Sequence, residues 1–266
     1  MSWRLNWTLR ELVDVRSYRE ISGILDAPLT YYGALLLKLI PGLFAKQISL
    51  RLKDGYVVPV QEFMSLYIFK EIFVEKCYDV LLDAPSPVIL DIGANTGLFA
   101  LRMKQLFPSS RITCYEPYPP NFRRLQDLIA INDLTSVVPM EEAVGAKSGT
   151  AQLYVHRRNV GGHSLSPRAA SSDRHIDVVI SGVDAVLRRL ATRIDLLKAD
   201  CEGAEYEILM SFTPEHAARV RRIVIEPMPQ LYDIQTLCSH LEALGYARQW
   251  KQGLFFFTHT QQAGSN

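Results

Sequence analysis

From residue 88 onward the apolar positions keep changing period: short solid runs alternate with stretches in which apolar residues recur every third or fourth place. The solid runs are 88–92, 111–115, 137–140, 194–199 and 222–226, each too short for a helix and bounded by turn residues. They predict strands buried on both faces. Helical spacing fills the gaps over 96–107 (stopping at Pro108), 120–132, 182–191, 204–211 and 234–244. In the second of these Phe122, Leu125, Leu128 and Ile129 share one face. Alternation of this kind predicts an α/β fold, a mainly parallel sheet with helices on both sides. Residues 151–155 and 176–180 read instead as antiparallel strands around a polar loop, and 245–250 with 253–258 as a closing hairpin. Upstream, 1–46 reads as a helical lead-in. Ile48–Leu52, the turn Asp54-Gly55 and Tyr56–Val60 form a hairpin, and a helix is expected over Gln61–Val80. Pro85-Ser86-Pro87 marks a boundary, so the expected domains are 1–84 and 85–260, with a frayed tail beyond.

Composition narrows the class only a little. The 266 residues are 48% hydrophobic and 21% charged with a net charge of +1, which is ordinary for a globular protein and gives no electrostatic case for nucleic acid. Four dispersed cysteines, Cys77, Cys114, Cys201 and Cys238, form no C-x-x-C pair; they point to a reducing compartment and to no metal or disulfide. Met1–Leu5 lacks the apolar core of a signal peptide, and Lys38 and Pro41 interrupt the apolar run at 34–44, which is too short to span a bilayer. A cytoplasmic protein is expected, with 34–44 a helix packed on the domain and peripheral membrane contact its alternative.

The candidate chemistry begins where the first solid run ends, at Asp91-Ile92-Gly93-Ala94-Asn95-Thr96-Gly97. Glycines after a strand let the backbone approach a ligand, and a carboxylate at the end of the next strand takes a ribose diol. Glu116 is that carboxylate, 25 residues after Asp91. A dinucleotide wants G-x-G-x-x-G so that its pyrophosphate reaches the helix N-terminus, but here Ala94 and Asn95 fill the loop. Asp91 would repel a diphosphate and suits a ligand carrying an ammonium. S-adenosylmethionine, with an ammonium, a sulfonium and no phosphate, is the expected cofactor.

Three blocks then resemble the FkbM-like methyltransferases: Leu90-Asp91-Ile92-Gly93-Ala94-Asn95-Thr96-Gly97-Leu98-Phe99; Tyr115-Glu116-Pro117-Tyr118-Pro119-Pro120-Asn121-Phe122; and Asp195-Leu196-Leu197-Lys198-Ala199-Asp200-Cys201-Glu202-Gly203-Ala204-Glu205. The third is the most specific, and the similarity extends from Ile48 to Phe257. The resemblance implies a class I methyltransferase fold, a Rossmann-like seven-stranded sheet with an antiparallel terminal hairpin. It also implies methyl transfer, usually to a hydroxyl oxygen of a sugar, polyketide or related metabolite. Ala199 and Cys201 stand where branched aliphatics are more usual and are expected to flank the sheet.

Ligands of open α/β sheets sit beyond the carboxyl ends of the strands, which fixes the expected roles. Asp91, Gly93, Asn95 and Gly97 are assigned to the methionine moiety of the cofactor, with Ala94 in the same loop. Glu116, followed by Pro117, goes to the ribose, and Glu141 or Glu142, with Glu142 preferred, to the adenine. Asp200 goes to the cofactor ammonium or the acceptor hydroxyl. An alcohol needs a base or a metal to acidify it. Glu202, Glu226 and His163 are the candidate bases; Asp200, Glu202 and Glu226 are a conceivable but unrequired metal set, and no metal is assigned. His163 lies in a glycine-containing loop with Gly161, flanked by Arg157, Arg158 and Arg168, suited to an acceptor lid. The rivals are an N-methyltransferase, which needs no strong base, a catalytically silent S-adenosylmethionine-binding assembly module, and a nicotinamide dehydrogenase, which the loop spacing disfavours. The expected partner is a small hydroxyl-bearing acceptor, with a homo-oligomer open.

Overall fold

The computed structural model describes residues 2–40, 44–156, 162–166 and 174–260. Contacts divide the chain into two units, residues 1–79 with 130–133, and 80–129 with 134–266.

In the first unit three helices, α1 (Ser2–Val13), α2 (Val15–Ile24) and α3 (Pro28–Lys38), precede the hairpin strands β1 (Ile48–Arg51) and β2 (Val57–Val60) and helix α4 (Phe63–Phe69). The Asp14 carboxylate accepts the amides of Arg16 and Ser17 and so starts α2; Pro28 starts α3, where a missing N–H leaves nothing unsatisfied. Ile21, Tyr31, Leu35, Phe63, Leu66 and Phe69 form the buried interior. The helix expected to reach Val80 stops earlier: α4 passes into a π-helical turn, Lys70–Val74, and Lys76 then takes φ +56°. Cys77 is buried all the same. The apolar spacing there reports burial, not helix.

The second unit follows the βα alternation. Its elements in order are β3 (Val88–Ile92), α5 (Leu98–Leu106), β4 (Arg111–Tyr115), α6 (Pro119–Ile131), β5 (Val137–Met140), β6 (Ala143–Gly145), β7 (Gly149–Tyr154), β8 (His175–Gly182), α7 (Val183–Leu190), β9 (Leu196–Ala199), α8 (Ala204–Met210), α9 (Pro214–Arg219), β10 (Arg222–Ile225), α10 (Ile234–Ala243), β11 (Tyr246–Lys251) and β12 (Leu254–His259). Seven strands form one sheet in the order β11-β12-β10-β9-β3-β4-β5. The five from β10 to β5 are parallel, and β12 and β11 close the edge antiparallel. Every residue of central β3 is buried, as a strand covered on both faces requires. β6, β8 and β7 make a second, three-stranded sheet.

Two elements escaped the sequence reading. β6 is three residues long, too short for a period, and is recruited by β8 from far along the chain. α9 begins at Thr213, whose hydroxyl accepts the His216 amide while the His216 ring accepts the Thr213 amide.

Candidate functional site

A cavity opens at the carboxyl ends of β3, β4 and β9, the middle three of the five parallel strands, with about 600 Å³ of atom-free space, open solvent at its mouth included. Gly93 and Asn95 line it from the β3 loop, Glu116 and Pro117 from the end of β4, and Asp200, Cys201 and Glu202 from the end of β9. Ala143, Val144 and Leu153 of the smaller sheet, with His163 and Leu165, complete the far wall.

The loop after β3 is held by close backbone approach. Both the Gly93 and Ala94 amides donate to the Tyr115 carbonyl, each at 3.0 Å. Gly93 takes φ +78°, Asn95 φ +52° and Gly97 φ +87°, and Gly97 then opens α5. A Cβ on Gly97 would meet Leu125 Cδ1 at 2.6 Å, so this glycine serves helix packing and does not line the cavity. Ala94 is likewise outside the lining.

Glu116 is 6% exposed, and both of its oxygens are aimed by the backbone. Oε2 accepts the Asn95 amide at 2.8 Å and Oε1 the Tyr118 amide at 2.9 Å. Burial pushes its carboxyl up to about 7, against the pull of those two amides. Each oxygen retains a lone pair for a further donor.

Asp91 departs from its expected place. It is fully buried inside the sheet, is absent from the cavity lining, and lies 3.1 Å from the Lys198 ammonium through Oδ1. A side chain at the penultimate position of a central strand points into a packed layer, which the one-letter spacing does not reveal. Glu142 is also outside the lining. Its Oε2 accepts from Ser181 Oγ at 2.5 Å and pairs with Arg189 at 3.2 Å, and Arg189 in turn donates to the Tyr115 hydroxyl. Glu141 is exposed. Where the adenine acid was expected, the wall is apolar.

Past β9 the chain makes a left-handed turn, with Glu202 at φ +54° and Gly203 at φ +107°. Ser164 Oγ donates to the Glu202 carbonyl at 2.5 Å, fixing the turn from above. Burial first, then the Asp200 and Glu205 charges, push the Glu202 carboxyl up to about 7. Glu205 is structural: it accepts the Gly203 amide, the Tyr232 hydroxyl and the Cys201 thiol. Cys201 itself lines the cavity, although its side chain was expected to flank the sheet.

His163 does reach the cavity, packed against Tyr118 with ring centres 4.0 Å apart and the planes tilted by 50°. Its Nδ1 accepts the His156 amide at 3.1 Å, so the neutral ring carries its proton on Nε2, a buried atom with no hydrogen-bond partner among the described residues. Burial, then the His156 and Arg124 charges, lower it to about 4. It presents a donor to the site. A base at Nε2 would need the other tautomer. The flanking Arg157, Arg158, Gly161 and Arg168 lie outside the described residues.

Glu226 is exposed just beyond β10 and does not line the cavity, so Asp200, Glu202 and Glu226 are not brought together. Among the described residues no group of three His, Cys, Asp or Glu side chains is gathered to hold a metal ion. Asn121, 1% exposed on α6, lines the cavity and was quoted within the second block without a role.

The order of strands, the cavity beyond them and the charged loops agree with what similarity to known proteins shows. The Methyltransferase FkbM domain profile matches residues 91–249. Methyltransferase sdnD of Sordaria araneosa is 33% identical over 190 residues, covering 60% of this chain and 73% of that protein. The 31-O-demethyl-FK506 methyltransferase FkbM of Streptomyces tacrolimicus is 26% identical, covering 74% of this chain and 86% of its own. Among solved structures, Methyltransferase FkbM from Methylobacillus flagellatus KT superposes with a TM-score of 0.50 at 13% identity, over 94% of this chain and 60% of that longer one. The superposition carries the class I methyltransferase fold, while the profile spans the glycine loop and both cavity-facing acidic strand ends and reaches into β11. On that match the chain belongs to the FkbM methyltransferase family.

Proposed function

We propose that the protein is an S-adenosylmethionine-dependent O-methyltransferase acting on a hydroxyl of a small metabolite such as a sugar or polyketide. The observation that carries the cofactor half is Glu116, a buried carboxylate aimed by two amides into a cavity at the mouth of the central strands. The donor set fits the cofactor in two further respects. Asn95, which lines the same cavity, has its Oδ1 buried with no hydrogen-bond partner among the described residues. Gly93 leaves the backbone bare where a side chain would collide with Asp200. The Streptomyces relative is named for an O-demethyl substrate, which favours oxygen as the acceptor here.

When bound, S-adenosylmethionine supplies a methyl group on a cationic sulfur, a good leaving group. The protein's part is to position, to exclude water and to take a proton. Glu116 would accept both ribose hydroxyls on its free lone pairs, and Gly93 and Asn95 would flank the methionine end. His163 Nε2–H would donate to the ligand beside Tyr118. Glu202, lifted to about 7 in the cavity wall, is poised to accept the proton of an acceptor hydroxyl near neutral pH.

Calorimetric titration with S-adenosylmethionine and S-adenosylhomocysteine, with NAD as control, tests this directly. Micromolar binding of the first two is expected. Glu116→Ala removes two charge-assisted hydrogen bonds at about 1.5–3 kcal/mol each, and should weaken binding about a hundredfold or more. No binding of either S-adenosyl ligand by the wild type would sink the proposal. Transfer of label from the cofactor to amines but not to hydroxyl compounds would overturn the oxygen assignment.

A further inference from the structure

The lead-in helices turn apolar side chains outward. Among the described residues, eleven of the sixteen exposed large apolar side chains lie in the first 40 positions. On α1, Leu5, Leu9 and Leu12 follow helical spacing along one exposed face, while Thr8 and Glu11 are buried on the other. Glu11 accepts the Ser17 hydroxyl at 2.7 Å and is paired with Lys70, so this helix turns its ion pair inward and its leucines outward. α3 carries a second exposed stripe, Leu29, Leu36 and Leu37, which Ile40 continues just past the helix. Ala34 and Leu35 of the same helix are buried, so its packing on the unit leaves that stripe uncovered. Where the three helices meet, Leu12, Val13, Val15, Tyr18, Leu29 and Tyr32 line an open groove of about 680 Å³ of atom-free space, open solvent included. Leu12 and Leu29 both line it, so the groove joins the two stripes into one surface. An exposed apolar surface of this kind marks a place where the protein docks.

The charge around this surface selects what it meets. Residues 1–53 hold eight lysines and arginines against four acids, whereas the remaining chain holds 21 against 24. Six of the eight cations are exposed: Arg10, Arg16, Arg19, Lys46, Arg51 and Lys53. The hairpin brings the last two beside the end of α2, where the Lys53 amide donates to the Ile24 carbonyl at 2.9 Å and the Asp26 amide to the Arg51 carbonyl at 3.0 Å. Three of the four acids are engaged within the fold, Glu11 by Lys70, Glu20 by Arg16 and Asp14 by the two amides that start α2; Asp26 is the fourth. We propose that this face docks on the surface of a bilayer containing anionic lipid, with the leucine stripes of α1 and α3 in the acyl boundary and the cations against the headgroups. Half-exposed Trp3 and Tyr18 suit the same boundary, where an amphipathic ring sits between lipid and water. A second copy of the chain fits less well, because a two-fold contact would set this positive surface against itself. No helix of the described residues is long and apolar enough to cross a membrane, so the attachment lies in the interfacial plane. The docking needs no cofactor and leaves the reading of the cavity untouched.

The test is flotation of the full-length protein with vesicles of phosphatidylcholine alone or mixed with phosphatidylserine, at low and at high salt. Binding to the mixed vesicles should be about tenfold tighter or more, and salt should weaken it. The double variant L9E/L36E should lose about tenfold or more of that binding with an unchanged melting temperature, since both side chains are exposed. R10E/R19E should bring the two lipid compositions level. Its substitutions lie outside the leucine stripes, so that arm stands even if L9E/L36E does not fold. Failure of the wild type to float with the mixed vesicles overturns the proposal, as does equal affinity for the two compositions. Flotation that survives L9E/L36E in folded protein overturns it too, by placing the contact elsewhere. Sedimentation analysis gives the remaining outcome: a dimer that L9E/L36E dissociates, without vesicle binding, would assign the face to a second copy.

Discussion

At Gly93 the chain leaves β3 with φ +78°, and a Cβ built there would lie 1.9 Å from the carbonyl oxygen of Asp200. The neighbour is backbone, anchored by the hydrogen bond that the Asp200 amide donates to the Ile92 carbonyl, so it cannot rotate aside. Gly93→Ala is expected to cost about 3 kcal/mol or more and to abolish cofactor binding. Gly55→Ala is the control: it shares a positive φ of +94° but has nothing within 4 Å, and should cost only about 1–2 kcal/mol. Urea titration of both variants separates the clash from the backbone preference. Glu202 carries the second residue-scale prediction. Because only its ionised form can take a proton, kcat should rise with pH and level off above about 7. Glu202→Gln should remove that rise and lower kcat about 10²- to 10⁴-fold while S-adenosylhomocysteine still binds. A retained pH profile in that variant would move the base elsewhere.

The elements that the sequence made legible are those with a local signature. β3, β4 and β9 announce themselves as solid apolar runs, and α5, α6 and α10 as helical spacing bounded by Gly, Pro or Asp. These central strands place the cavity, so Gly93, Glu116, Asp200 and Glu202 could be found by reading where strands end. What spacing could not supply is the side to which a strand-end carboxylate turns. Asp91 faces the packed layer and Lys198, and Glu142 faces Ser181 and Arg189, because both are set by neighbours about 40 residues or more away. α9 did carry a local signal, Thr213-Pro214-Glu215-His216, an N-cap followed by proline at the first helical position. Its hydroxyl-to-amide contact is measurable. Thr213→Ala should destabilise the protein by about 1 kcal/mol, read as a lower urea midpoint with an unchanged slope, whereas Thr213→Ser should be near neutral.

On the scale of the whole molecule, stability and ligand binding are coupled through the groups that line one cavity. Glu116 and Glu202 are both lifted from 4.5 to about 7. A carboxyl with a raised folded-state value favours the folded chain below about 4.5, and that contribution is lost as pH rises to about 7. Buried Asp91 and Glu205 are shifted the same way. His163, lowered from 6.5 to about 4, acts oppositely: its contribution is present above 6.5 and is lost as pH falls toward 4. Each group changes stability by at most about 1.4 kcal/mol per pH unit within its own window. Glu116 and Glu202 alone, set against His163, leave a net fall of about that size per unit between pH 5 and 6.5, in the direction Asp91 and Glu205 also push. The unliganded protein should therefore lose stability from pH 5 to 7 and flatten above, with a shallower slope in Glu116→Gln. Saturating S-adenosylhomocysteine should work against the loss, since hydroxyls donated to Glu116 favour its ionised form. The melting temperature gained from the ligand is then larger at pH 8 than at pH 6. A gain independent of pH would mean that the ligand's hydroxyls do not meet Glu116, and the assignment of the ribose to the end of β4 would fall with it.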